Sequence, residues 1–327
     1  MSGYARGAGS QLQIGKESTW GTAATLTRLL NFLSEDLKLN INRIEEESLL
    51  VQKTARSMDV MGYTVDGSIG VILKPENMKE ILFLSMGVEA DPVLKAATSG
   101  VYEHSFTLAA HDATLPSFTA VIDRKAAAPA YTGLKVSSLS IEAKAQDYLR
   151  STISVKGKGE SSGTLAGALT SPSKKSFRFV NGTMTIDAVD FAEVTSIDIS
   201  IDNALDDGEQ TLGSGYYTSE MEHNERVVTI NFEAFYNSAS NTVRENKYKV
   251  DGASAEVVLT FETPDEIETD EKYTLEITLP KVVITEANPG VSGKDKLKIN
   301  FAGQALQGAL EPITIVYYDD ENAKAFE

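Results

Sequence analysis

Asp36-Leu37-Lys38-Leu39-Asn40-Ile41-Asn42 alternates strictly, with apolar side chains at Leu37, Leu39 and Ile41 and polar ones between them. A period of two marks a strand with one buried and one wet face. A loop at 43–62 follows, carrying Glu45-Glu46-Glu47, and residues 63–73 then alternate again through Val65, Ile69, Val71 and Leu73. Lys74-Pro75 ends that second strand. Residues 76–86, ENMKEILFLSM, have helical character and stop at Gly87. Pro near the start and Gly just past the end is the expected helix punctuation. Residues 34–87 therefore read as strand, long loop, strand, short helix.

The same order returns later. Residues 194–202, VTSIDISID, alternate through Ile197, Ile199 and Ile201, and a loop at 203–226 holds Asp206-Asp207-Gly208 and Gly213-Ser214-Gly215. Residues 226–235 alternate through Val228, Ile230, Phe232 and Ala234, and 237–247 have weaker helical character. Four strand-like runs follow each unit: 102–108, 117–124, 136–143 and 149–156 in the first, then 256–261, 273–279, 282–287 and 297–302 in the second. Matching elements lie near 160 residues apart early and about 145 late, judged from the alternation. The pattern predicts a mainly β chain built by tandem duplication of one β-barrel or β-sandwich unit, each copy with a short helix.

The expected organisation is an N-terminal arm at 1–33, a first domain at 34–160, a Gly-, Ser-, Ala- and Lys-rich linker at 161–176, a second domain at 177–303, and a C-terminal strand with an acidic tail at 304–327. Asn181-Gly182 reads as a hairpin turn between 177–180 and 183–186.

The chain has 327 residues, 42% of them hydrophobic, so it can fill a real core. No apolar run approaches the ~20 residues that cross a membrane. The first residues carry no hydrophobic signal core, so nothing in them directs export. The absence of cysteine excludes disulfides and thiolate metal sites and fits assembly in a reducing compartment. A net charge of −17 disfavours capture of nucleic acid through its phosphates. That charge is uneven: residues 1–170 hold 17 basic and 18 acidic side chains, residues 171–327 hold 13 and 29. The acidity belongs to the second half.

Motifs for chemistry fail one by one. Gly15-Lys16 suggests a phosphate loop, but five residues separate Gly9 from Gly15 and Glu17 follows the lysine. His104 and His111 lack partners at ligand spacing, and His223 sits in a loop among Glu220, Glu222 and Glu225. Asp206-Asp207-Gly208-Glu209 lacks the alternating ligands of a calcium loop. No nucleophile elbow is present. The residues predict a non-enzyme without a cofactor.

Ile14-Gly15-Lys16-Glu17-Ser18-Thr19-Trp20-Gly21-Thr22-Ala23, followed by Phe32-Leu33-Ser34-Glu35-Asp36-Leu37, resembles the N-terminal signature of the tail tube proteins of long-tailed, siphovirus-like bacteriophages. The similarity extends to Asn181-Gly182-Thr183-Met184-Thr185-Ile186. The resemblance implies a structural virion protein of the viral tail, assembled in the host cytoplasm. Its subunits would form stacked rings of β-rich units around a channel through which DNA passes without specific binding. A duplicated subunit would make trimeric, pseudo-hexameric rings. The chain itself, a tape measure protein and a tail terminator are the partners it implies.

The alternation suits that role. Lys38, Asn40, Asn42, Thr64, Asp66, Ser68, Asp198, Ser200, Asp202, Thr229, Asn231 and Glu233 would face the lumen. A polar, net acidic wall repels phosphates and lets DNA slide. The two long loops would supply contacts between rings, with Glu45, Glu46, Glu47, Arg56, Asp206, Asp207, Glu220 and Glu222 as candidates. The alternative reading is a carbohydrate- or host-binding β-sandwich module, such as an adhesin or tail fibre domain. Trp20 and the Tyr216-Tyr217 pair are the aromatics that could serve it.

Overall fold

The computed structural model describes residues 4–47, 57–96, 98, 100–167, 169–291 and 294–327. The first half runs β1 (Leu12–Lys16), β2 (Arg28–Leu30), β3 (Phe32–Glu35), β4 (Lys38–Glu45), β5 (Met58–Ile72), α1 (Pro75–Met86), β6 (Gly87–Glu89), β7 (Val93–Leu94), β8 (Tyr102–Leu108), β9 (Phe118–Ile122), β10 (Pro129–Lys144), β11 (Arg150–Gly157) and β12 (Gly159–Ser162). The second half runs β13 (Gly182–Ile186), β14 (Val189–Asp190), β15 (Val194–Asp202), β16 (Val227–Phe235), α2 (Ser238–Val243), β17 (Ala255–Glu268), β18 (Glu271–Ala287), β19 (Lys298–Ala305) and β20 (Thr314–Asp319). A π-helical turn at Arg244–Tyr248 continues α2. The named strand ladders are all antiparallel.

One long sheet crosses both halves in the order β4–β5–β11–β10–β15–β16–β19–β18. Its first four strands come from the first half and its last four from the second. The order β4–β5–β11–β10 thus recurs as β15–β16–β19–β18. Two flanking sheets repeat as well. β1–β9–β10–β12 in the first half matches β13–β17–β18–β20 in the second. β10 and β18 are long because each serves a flanking sheet with its N-terminal part and the long sheet with its C-terminal part.

The bulges fix the correspondence residue by residue. Leu33 is the extra residue between Phe32↔Val71 and Ser34↔Gly70, and Thr195 is the extra residue between Val194↔Ala234 and Ser196↔Glu233. Ser137 and Thr285 play the same part in the β10–β11 and β18–β19 ladders. A bulge disturbs one strand locally and re-aims the residues beyond it, so the coincidence of bulges in both halves marks a common framework. Thr195 lies 162 residues after Leu33, and Thr285 lies 148 after Ser137. This alignment sharpens the spacing read from alternation: Leu37 and Leu39 match Ile199 and Ile201, and Ile41 matches Asn203.

The core lies between the long sheet and its flanking layers. Leu37, Val65, Ile69, Leu139, Ile153, Ile199, Ile230 and Phe301 are buried from the long sheet. Phe232 stacks on Phe301 at 4.7 Å between ring centroids, and Phe191 meets both edge-on. Gly67 has φ +147°, and a Cβ there would sit 2.8 Å from the Leu37 Cα, so the chain crosses itself where only glycine fits.

α1 begins with Pro75 at its first turn and ends at Gly87, whose φ is +95° and whose N–H donates to the Phe83 carbonyl. It is buried on nearly every side, including the polar Asn77, Lys79, Glu80 and Ser85. Lys79, 3% exposed, is held by Asp319 at 3.1 Å and Glu321 at 2.7 Å. His104, fully buried on β8, bridges Glu89 through Nδ1 and Asp319 through Nε2, both at 2.9 Å. Burial alone pushes the imidazole down, but the hydrogen bonds to Asp319 and Glu89 outweigh it and hold the ring at about 9.

The acidic closing segment is tied back onto the fold. Asp319 is buried, Asp320 pairs with Lys174 at 2.8 Å, Ala325 N donates to Glu89, and Phe326 meets Phe83 edge-on at 6.4 Å.

Other expectations shift too. β1 and β2, placed in an N-terminal arm, belong to the first flanking sheet through β9. The runs 273–279 and 282–287 are one strand, β18, because Pro280 falls at the crossing between sheets, where its missing N–H costs no ladder bond. Asn181-Gly182 is not a hairpin: Phe179–Asn181 forms a 3₁₀ turn, and β13 pairs with β17 and β14.

Candidate channel and assembly surface

The face of the long sheet opposite the core is predominantly polar across its width. Partners directly across an antiparallel ladder share a face, so the pairs can be read in sequence. Lys38 faces Asp66 and Asn40 faces Thr64; Ser68 faces Ser154, Ser154 faces Ser138, and Ser138 faces Asp202. Ser200 then faces Thr229, Asp198 faces Asn231, and Asn231 faces Ala302. Asn42, opposite Gly62, and Glu233, beside Asn300, lie on the same face. The twelve residues expected to line a lumen are thus gathered on one continuous surface.

Further residues of that face went unassigned in the sequence. Ser138, Ser140 and Glu142 on β10, Arg150, Thr152 and Lys156 on β11, and Asn300 and Gln304 on β19 belong to it. Their strands alternate as clearly as the others. What was missing was the β10–β15 ladder, which pairs residues about sixty positions apart and fuses two four-stranded blocks into one.

Charge differs along the face. The first half contributes Lys38, Lys144, Arg150 and Lys156 against Asp36, Asp66 and Glu142. The second contributes Lys298 against Asp198, Asp202, Glu233 and Glu286. Many of these charges are paired locally: Arg150 with Asp147, Lys144 with Glu142, and Lys298 with Glu233. The Ser68 backbone N–H, aided by its hydroxyl and by Lys38, holds Asp36 below the usual carboxylate range. Asp198 sits at the junction of the halves, in a depression of about 340 Å³ lined also by Glu142, Asn231, Glu233 and Asn300. Burial pushes its carboxyl up, and Glu142 opposite adds to the shift, against a hydrogen bond from Ser140.

At one end, β4 and β5 leave the sandwich as a two-stranded arm. Residues 58–64 of β5 have β4 as their ladder partner, whereas 65–72 also pair with β11. The arm exposes Ile41, Ile44, Met58 and Met61. Ile41 therefore does not reach the core despite its place in the alternation. The second half's loop at 203–226 braces the arm: Tyr63 N donates to Tyr216 O at 2.8 Å, and Gln210 Nε2 donates to Met61 O at 2.9 Å. Tyr216 and Tyr217 pack on Tyr63 with centroids at 5.6 and 5.9 Å. Lys158 lies over both Trp20 and Tyr217. These aromatics join the two halves.

The loop candidates divide accordingly. Glu45, Glu46 and Glu47 are exposed at the arm's tip, where Glu46 accepts from the Ser57 hydroxyl. Arg56 lies outside the described residues. Asp206 accepts from Gly208 N and Glu222 N, Asp207 pairs with Lys156 at 2.6 Å, and Glu220 pairs with the fully buried Lys135 at 2.8 Å. Glu222 is exposed, beside His111 and His223 in a small cleft. Among the described residues no cluster of three or more potential ligands could hold a metal.

The N-terminal signature also finds its physical reason. Glu17, buried on the exit of β1, accepts from Gly21 N and Gly133 N at 2.8 Å and from the hydroxyls of Ser117 and Thr119. Trp20 Nε1 donates to Gly133 O at 3.0 Å, and Gly133 has φ +68°. The Lys-Glu-Ser-Thr-Trp-Gly run is a turn that locks β1, β9 and β10 together, not a phosphate loop.

Fold and surface together define a duplicated antiparallel β-sandwich protein whose two halves share one wide polar sheet. A family model described as phage tail tube protein matches residues 7–305. The chain belongs to the phage tail tube protein family, and its role is structural. No curated protein of similar sequence was found.

Proposed function

We propose that this chain builds the wall of a tail tube, closing as trimers into pseudo-hexameric rings that stack around a channel for DNA. The observation that carries this reading is the polar face that runs unbroken through four strands of each half. Two equivalent blocks per chain let three chains occupy six equivalent positions. The polar face then lines the channel, with Lys38, Asn40, Asp66, Ser200, Asn231 and their neighbours toward the lumen. Its charged side chains sum to a slight acidic excess, so phosphates meet no continuous basic track. The repeating unit on this reading spans 12–162 and 182–319, because β1 and β20 complete the flanking sheets.

The arm and the loop at 203–226 supply the contacts between rings. Exposed Met58 and Met61, with Ile44 on the opposite face, leave apolar side chains on both faces of a protruding hairpin, and exposed apolar groups of this kind mark an interaction site. A tape measure protein inside the channel and a terminator at the tube's end are the partners this reading assigns, with assembly in the host cytoplasm. Electron microscopy of the purified protein at high concentration tests it: rings or hollow tubes are expected, and dispersed monomers under all conditions would contradict it.

A further inference from the structure

The seam inside the chain shows how two leftover strand edges fit. β10 and β15 join the halves over seven registered pairs, from Ser138↔Asp202 to Lys144↔Ser196. Just beyond, Asn203 N donates to the carbonyl of the bulge residue Ser137 at 2.8 Å. By the repeat, β10 corresponds to β18 and β15 to β4. Among the described residues, 283–287 of β18 and the whole of β4 carry ladder pairing on one side only; the Ala287 carbonyl accepts from Arg244 Nε at 2.7 Å, a bond that a new strand would share or displace. An unpaired strand edge is a template for another strand.

The bulges carry the register across. Ser138, Leu139 and Ser140 correspond to Glu286, Ala287 and Asn288; Asp202, Ile201 and Ser200 correspond to Asn40, Leu39 and Lys38. We infer that β18 of one copy pairs antiparallel with β4 of a second copy in the register Glu286↔Asn40, Ala287↔Leu39 and Asn288↔Lys38. The Ile41 N–H then donates to the partner's Thr285 carbonyl, as Asn203 does to Ser137. The inference rests on the tube reading above and names the strands that close its ring.

Two observations favour a second copy as the occupant. Ile41 is 40% exposed, whereas its counterpart Asn203 is fully buried with Nδ2 donating to Val136 O at 3.0 Å. Val136 corresponds to Ile284, so the pairing covers Ile41 with β18 of the neighbour. Exposed Glu286 also lands diagonal to Lys38, within reach of a long side chain of opposite charge. The internal seam has a comparable diagonal, Lys144 with Asp198, beside the like-charged Glu142 that faces Asp198 directly. The new seam is also shorter. Pro289, the counterpart of Ile141, has no N–H to give a ladder, so the ring opens first at this seam.

The chain contains no cysteine, so introduced pairs report without background. S138C/D202C calibrates the geometry by closing a disulfide within one chain. Under those conditions N40C/E286C, assembled into tubes, is expected to give interchain disulfides in non-reducing gels, while N40C and E286C alone stay unlinked. Tubes without interchain links, or a dimer from either single variant, would overturn this pairing and leave the tube reading standing. Failure of the unmodified chain to form rings or tubes would instead overturn the tube reading.

Discussion

The two halves keep one ladder and hold it by different means. In the first, α1 spans twelve residues, is buried almost all round, and is tied down by the Lys79–Asp319–His104–Glu89 cluster. In the second, α2 spans six residues, continues as a π-helical turn, and depends on a local capping box between Asn237 and Ser240. Arg244 adds a bond to the Ala287 carbonyl at 2.7 Å. The polar face differs in the same spirit, mixed in charge in one half and acidic in the other. Strand order and bulges are set by backbone register, where a one-residue slip turns every side chain over. Helix anchoring and surface charge carry no such constraint. Duplication has preserved the first and released the second.

Substitutions can break that contrast, and the largest effect belongs to the first half. Lys79→Ala removes one of the two cations that hold buried Asp319, leaving His104 as the other, at a cost of about 3 kcal/mol. Urea unfolding of the unassembled chain should show it. A loss below about 1 kcal/mol would mean that α1 needs no ionic anchor.

The same cluster gives stability a pH dependence. His104 is held at about 9 in the folded chain against an ordinary 6.5, so folding favours its protonated form. That contribution is complete below about pH 6.5 and is lost as pH rises through about 9, roughly 3 kcal/mol at most. His104→Gln should flatten the decline across that window. An unchanged profile would place the titrating group elsewhere.

A smaller effect tests the second half. Asn237→Ala opens the capping box of α2 and should cost about 1 kcal/mol. No change in Tm would show α2 held by packing alone.

The smallest effect concerns the junction. Asp198 titrates above its ordinary value, so its ionised form weakens the fold as pH rises through that value. Asp198→Asn should therefore stabilise by a few tenths of a kcal/mol at neutral pH. A clear loss of stability would contradict the placement of Asp198 beside Glu142.

Much of the ladder was legible from local pattern. Ile197, Ile199 and Ile201, Val228 to Ala234, and Pro75 to Gly87 announce themselves because burial on one face and helix punctuation are local rules. The junction was not legible, since Glu142 meets Asp198 only through pairing between distant strands. Ile41 misled because alternation records which side a residue faces, not whether anything covers that side. His104 looked idle in the sequence; its partners Glu89 and Asp319 are distant along the chain and meet it only through β6, β8 and β20. Glu17 looked like a failed phosphate loop for the same reason.

The inequivalence of the halves matters to function only if one chain fills two wall positions. The native mass of the smallest closed ring tests this most directly. Three chains per ring are predicted, each giving one mixed-charge and one acidic block in alternation around the channel. A ring of six chains would contradict the account, because each chain would then occupy a single position.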